Sequence, residues 1–302
     1  MLHLRRTARD EFQGPMFDLV EYYATTPSSP NDTKIKSRSI NERHLDIEWT
    51  FSPRPRPIYL TAKIFILAWT IAITFHSISE ATHKVFWLAY LTHWGVMFTV
   101  AYMLMSVSSA IYLAVRPPKT NTTVLEGRTG LLLKMTWALF AISLPAEVVI
   151  TILFWVLEFN GSLTYVSVMV HGGFAILLLL DGLLLSRIPL RAKQFFLSQA
   201  LCLTYICWGL VHAYVGNIGN PYKEDGTQDD DAIYASIAWM NNPKVTSIVV
   251  VGIFFLVNPA VFFMCRAVSR LIPRRFCDEE EKKRTFKGGE QQQLSNDEES
   301  HG

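Results

Sequence analysis

The sequence predicts an all-α polytopic membrane protein, a six-helix transmembrane bundle with disordered cytoplasmic tails, and three observations carry that expectation. Half of the residues are hydrophobic and only 18% are charged, against about a quarter charged in soluble domains. The charges gather in blocks, at the two ends and between apolar runs. Six such runs reach or exceed the roughly twenty residues that cross a bilayer core. In lipid, continuous runs of this kind satisfy their backbone only as helices.

In chain order, residues 1–57 are polar, with the breaker-rich ATTPSSPND and a closing SPRPRP, and are expected to form a disordered tail. A short surface helix over Met16–Tyr23 is the one element anticipated there. No charged leader, short apolar core and small-residue cleavage site occur in the first fifty residues, so the first apolar helix is expected to serve as an uncleaved anchor. The transmembrane domain is expected over 58–268. Its spans fall at about Ile58–Ser77, Val85–Val115, Leu131–Leu157, Tyr165–Ser186, Phe195–Val215 and Val245–Val268. Pro145 and Pro259 should kink the third and sixth spans. Gly172 and Gly173 offer the fourth a close helix contact. Residues 269–302, ending CDEEEKKRTFKGGEQQQLSNDEESHG, are read as a second charged, disordered tail.

Lys and Arg beside the helix ends fix the orientation. Arg54 and Arg56, then Arg116, Lys119 and Arg128, then Arg187, Arg191 and Lys193, then Arg266, Arg270, Arg274 and Arg275 lie on one side. The other side has Lys84, a short third loop without Lys or Arg, and a long acidic fifth loop containing Asp229, Asp230 and Asp231. Both termini are therefore expected in the cytoplasm. Of the sequons, Asn31 and Asn121 fall on that inner side, and Asn160 sits in a loop too short for easy modification. The net charge of +2 gives no argument for nucleic acid. Cys202, Cys207, Cys265 and Cys277 have no metal-ligand spacing and predict no disulfide framework. Cys277, beside a basic patch, is either a palmitoylation site or a free thiol.

The chemistry is expected inside the membrane. The run Phe86–Ala114 has no Lys, Arg, Asp or Glu, yet it carries Thr92 and His93 between aromatic residues. Counting about 1.5 Å per residue from the outer face, one layer collects Thr92, His93, Thr151, His171 and His212, with Glu147 a turn deeper. Ionisable groups in hydrocarbon are functional candidates. Each has a plainer reading: His76, His83 and His212 as headgroup-level residues, Glu147 as a structural carboxyl, Thr92 bonded back to its own helix. Asp181, nearer the inner face, is close enough to Arg187 to pair with it. The shared depth of Thr92 and His171 on two helices singles them out. A hydroxyl becomes a nucleophile when an imidazole takes its proton. A carboxylate would complete a triad-like set, and Glu147 is the candidate for that place. Such a centre would receive lipid-dissolved substrates, acyl esters above all.

The chain also resembles a known family. YLTHWG in the second span is similar to the YLTNWG-like signature of rolling stone family membrane proteins. PAEVVITILFW, VHGGFAILLLLDGLLLSRIPLR and DDDAIYASIAWMNNPK resemble the same family. The resemblance covers about Pro57 to Arg270 and implies six or so transmembrane helices; the family's best-known member is linked to myoblast fusion. His93 stands where the signature has Asn. More distantly, the pattern is similar to the androgen-induced and androgen-dependent membrane proteins, hydrolases of fatty acid esters of hydroxy fatty acids. Their catalytic Thr and His would correspond to Thr92 and His171.

Two function classes follow. One is a lipid ester hydrolase with Thr92 as nucleophile, His171 as base and Glu147 as orienting carboxylate, acting on a membrane lipid or fatty-acyl ester without cofactor or metal. The other is a non-enzymatic scaffold or cell-fusion protein acting through the acidic fifth loop. Haem or metal binding is the weakest alternative, because no His-x-x-x-His spacing occurs on one helix face.

Overall fold

The computed structural model describes residues 57–81, 84–115, 128–159, 161, 163–216, 233–234 and 236–271. Residues 1–56 and 272–302 of the two tails, the acidic run Asp229–Asp231, His83, Asn31, Asn121, Asn160 and Cys277 lie outside these residues, as do the expectations placed on them, while Pro57 and Ser269–Leu271, read as tail, are helical. Among the described residues there is no strand, and six helices are long and apolar enough to cross a membrane. They are α1 (Pro57–Glu80), α2 (Leu91–Val115), α3 (Arg128–Leu153, continued by a π-helical turn over Phe154–Glu158), α4 (Tyr165–Leu185), α5 (Ala192–Val215) and α6 (Pro243–Leu271).

The outward faces remain apolar: Phe65, Phe75, Leu104, Ile176, Phe196, Ile248 and Phe255 are all exposed. In water such a belt would be a liability, whereas lipid tails solvate it. Inside, α2 and α3 form the spine, with α1 and α4 on one flank and α5 and α6 on the other. Tyr102, Phe140, Leu144 and Leu178 are buried where α2, α3 and α4 meet.

The glycines that let helices approach are Gly95 and Gly182, not Gly172 and Gly173. A Cβ at Gly95 would stand 2.6 Å from Ile150 Cδ1, and one at Gly182 would strike the Phe140 ring. At Gly173 the obstruction would be Met169 of the same helix, and Gly172 faces open space. Pro145 sits inside α3 without interrupting it. Pro259 has a clearer consequence: the turn before it, Ile253–Val257, is π-helical. Proline has no N–H to return to that turn, and Gln199 Nε2 on α5 donates to the Phe254 carbonyl instead, at 2.8 Å.

Two further corrections concern polar residues. Asp181 does not pair with Arg187. Its face of α4 points inward, where Oδ1 meets Lys63 Nζ of α1 at 2.7 Å. Its Oδ2 accepts from Tyr102 (2.6 Å) and Ser106 (2.9 Å) of α2. Lys63 also donates to Ser106 at 2.5 Å and to Ser186 at 2.7 Å. His212 is buried beside Trp208 rather than placed at headgroup level, while His76 is exposed and faces Glu80 at 3.4 Å.

Candidate active site

The chain does not enter α2 as one continuous helix from Val85. Residues Lys84–Ala89 form a 3-10 turn, and the α-helix starts at Leu91. Side chains take the backbone carbonyls that a helix would have used. His93 Nδ1 bonds to the Trp87 carbonyl, and Trp94 Nε1 donates to the Leu88 carbonyl at 2.8 Å. The His93 and Trp87 rings stack at 4.1 Å, and Trp87 Nε1 ties the turn to Ser77 of α1. Thr92 therefore lies in the first turn of α2, buried, beside backbone N–H groups that have no partner within the helix.

His171 reaches the same point from α4. The Met169–Gly173 turn is π-helical, and His171 itself leaves helical geometry at φ −111° and ψ 17°. Single π turns of this kind recur at functional sites. The departure lays the imidazole flat on Phe154 of α3, with centroids 3.5 Å apart and planes 4° from parallel. Trp155 Nε1 holds the His171 carbonyl at 3.1 Å. In this setting His171 Nδ1 stands 3.5 Å from Thr92 Oγ1. That is a loose hydrogen-bond distance, of the sort that tightens when substrate binds.

Glu147 is not joined to this pair. Its Oε1 accepts from Thr99 Oγ1 of α2 at 3.1 Å, and among the described residues no carboxylate bonds to His171. Glu147 instead packs against Gly95, one turn below Thr92. Thr151 bonds back to the Glu147 carbonyl at 2.7 Å, the ordinary behaviour of a helical threonine. The neighbour that lies against the His171 imidazole is the Phe154 ring rather than a carboxylate.

Two tyrosines complete the centre. Tyr205 of α5 accepts from the Leu91 N–H at 3.0 Å and donates to the Ala89 carbonyl at 3.0 Å. Tyr234, from the connection before α6, places its hydroxyl among the Thr92 side chain, the Leu91 and Thr92 amides and the Tyr205 hydroxyl. Burial pushes the Tyr234 phenol above its ordinary range, and the donors around it work in the opposite direction. The segment is fastened by Ser236, whose Oγ donates to Glu158 Oε1 at 2.5 Å. Reasoning from helical depth missed both tyrosines: one looks like a core aromatic, and the other lies outside every span. The segment DDDAIYASIAWMNNPK was the one signal, since it marked the connection before α6 as distinctive.

The pair opens on a cavity of about 90 Å³ between α3, α5 and α6. Its walls are almost wholly apolar, with Thr92, His171, Tyr205 and Tyr234 at one end and Ser198 and Asn258 at the other. A hydroxyl, an imidazole and phenol donors at the mouth of an apolar slot can act on an ester whose chain lies in the slot.

The family profile described as "Rost: Protein rolling stone" matches residues 56–278. A curated relative, Protein rolling stone of Drosophila melanogaster, is 25% identical over 180 residues, which cover 56% of this chain and 61% of the fly protein. The chain thus spans about three fifths of that relative's length. No solved structure matches it.

Proposed function

The chain belongs to the rolling stone family, and on that premise we propose that it is an intramembrane Thr/His hydrolase of lipid esters. The observation that carries this reading is the 3.5 Å approach of Thr92 Oγ1 to His171 Nδ1 at the mouth of an apolar cavity. The resemblance of the same two residues to the catalytic pair of the androgen-induced proteins supports it. With the imidazole proton on Nε2, Nδ1 takes the Thr92 proton as Oγ1 attacks the ester carbonyl. The C–O bond of the ester breaks, the leaving alcohol takes the proton from His171, and the acyl group stays on Thr92. Water then gives its proton to His171 and attacks the acyl-threonine, releasing the acid and restoring the hydroxyl. The negative charge on the carbonyl oxygen in both steps would lie before the α2 amides and the Tyr234 hydroxyl, where donors are already aimed. Glu147 enters as a positioning residue that sets the α2–α3 spacing below Thr92.

The distribution of Lys and Arg supports cytoplasmic termini, which places this centre at the non-cytoplasmic end of the bundle; a tag at each terminus, tested for accessibility in sealed cells, checks that placement. For the chemistry, purified protein in detergent should hydrolyse a chromogenic acyl ester. Thr92→Ala and His171→Ala should each remove at least about 99% of the rate, while Thr92→Ser keeps a measurable part of it. Full activity in both alanine variants, with expression unchanged, would refute the reading.

A further inference from the structure

The cavity ends, on its side away from Thr92, at the hydrogen-bonded Ser198 and Asn258 side chains, and three helices give a similar distance from the reacting pair to that end. Below the level of Thr92 and His171, the lining runs on α5 from Tyr205 down to Ser198, on α3 from Phe154, which stacks on His171, down to Ala146, and on α6 from Val250 down to Asn258. Leu157 and Glu158 of α3 line the cavity above that level. At the helical rise these stretches are each about 10–12 Å long. Between the ends stand Val149, Ile150, Leu201 and Ile253, none of which offers a polar group.

The floor is polar and locked. Ser198 Oγ donates to Asn258 Oδ1 at 3.0 Å, and Asn258 Nδ2 donates to Gln199 Oε1 at 2.7 Å. Gln199 Nε2 is held in turn by the Phe254 carbonyl at 2.8 Å. That carbonyl lies in the turn that Pro259 deprives of an N–H, so the chain of bonds is anchored on backbone with no helical partner of its own. A methylene pushed past Ser198 would have to break hydrogen bonds in apolar surroundings, where nothing replaces them. A chain that stops short of the floor leaves part of the slot unfilled.

We propose that this cavity is an acyl-chain ruler, in which the Ser198–Asn258–Gln199 floor limits the bound chain to roughly eight to ten carbons counted from the carbonyl at Thr92. As a specificity device the ruler rests on the hydrolase reading, but as a binding site it stands without it. Ligands with medium-length saturated chains fill the slot, whereas hexadecanoyl chains meet the floor. Leu201, one turn above Ser198, is the position at which added bulk shortens the ruler.

Cys202 makes binding measurable without catalysis. It lines the cavity, and Cys207 on the same helix is exposed, so it reports reagent access as an internal control. The full chain in detergent micelles is treated with N-ethylmaleimide in the presence of saturated fatty acids from butanoic to hexadecanoic, and labelling of each cysteine is read by peptide mass spectrometry. Protection of Cys202 should peak at octanoic or decanoic acid and fall about tenfold by hexadecanoic acid, with Cys207 unaffected. Leu201→Phe, and independently Ala146→Leu on α3, should move the peak to shorter acids. Protection that rises steadily to hexadecanoic acid, or a peak unmoved by both substitutions, overturns the ruler. The same preparations are assayed on the matching chromogenic esters. Thr92-dependent hydrolysis with flat protection removes the ruler and leaves the hydrolase; a clear protection optimum with no ester cleaved keeps the ruler and removes the hydrolase.

Discussion

Lys63→Met tests whether the buried charges at the end of the bundle opposite Thr92 are held as a unit. Lys63 and Asp181 are 0% and 1% exposed, and their 2.7 Å contact joins α1 to α4. Removing the ammonium leaves the carboxylate with Tyr102 and Ser106 as its donors, and two neutral hydroxyls do not neutralise a charge inside a bundle. Breaking one side of a buried pair costs about 3–5 kcal/mol. In Lys63→Met/Asp181→Leu the charge is gone and the apolar side chains take up the volume. Ser106 and Ser186 can turn to carbonyls of their own backbone, whereas the Tyr102 hydroxyl, wholly buried, loses its acceptor. An unpaired buried hydroxyl costs about 1–3 kcal/mol, so the double variant should lie between wild type and the single variant. Reversible unfolding by SDS in mixed micelles, followed by circular dichroism, gives the three values. A single variant within about 1 kcal/mol of wild type would refute the reasoning. So would a double variant less stable than the single one, since it would show that lost packing rather than a stranded charge is responsible.

At the other end of the bundle, Tyr234→Phe keeps the ring and its contact with Tyr90 but removes the hydroxyl beside Thr92. Steady-state hydrolysis should show kcat falling by about tenfold or more with KM little changed, the pattern of a donor used in the transition state; an unchanged kcat would exclude that role. Gly95→Ala would put a Cβ 2.6 Å from Ile150 Cδ1 and 2.7 Å from Glu147 Oε1, so α2 and α3 must part. The expected loss is about 1–3 kcal/mol in the same SDS titration, and a neutral result would show that the interface yields without strain.

Much of this architecture was legible in the sequence, because span length and the charge-free runs are properties of single segments. Depth along a helix is equally local, and it brought Thr92 and His171 to one level before any contact was visible. Partner choice is not local. Lys63 drew no reading from the sequence, and Asp181 was read as a neighbour of Arg187, since nothing in either segment states which way α1 and α4 face. The direction of Glu147 was hidden for a related reason. It lies about a turn below Thr92, and only the Gly95 contact reveals that it is directed at α2 and Thr99. The π turns were invisible too. They arise where a histidine, a proline or a close contact displaces a backbone bond, and hydrophobic periodicity is blind to one extra residue in a turn.

The two polar centres share a membrane but differ in what surrounds them, and the difference assigns their roles. Around Lys63 and Asp181, both carboxylate oxygens are engaged, and the ammonium has three partners. Every charged atom of this set has a partner, and its worth lies in holding four parts of the chain in one register. Around Thr92 the contacts are looser: one imidazole at 3.5 Å, held by stacking on Phe154, and the Tyr234 hydroxyl. Phenol oxygens occupy the amides at the start of α2, and the floor of the adjoining slot is locked from below. A closed network rigidifies, whereas a loose pair beside a cavity with fixed walls has room for a reacting group to enter. If the labelling of Cys202 follows chain length, the walls do their share of that work. Should it ignore chain length while Thr92 still cuts esters, recognition must lie at the mouth, with Tyr205 and Tyr234.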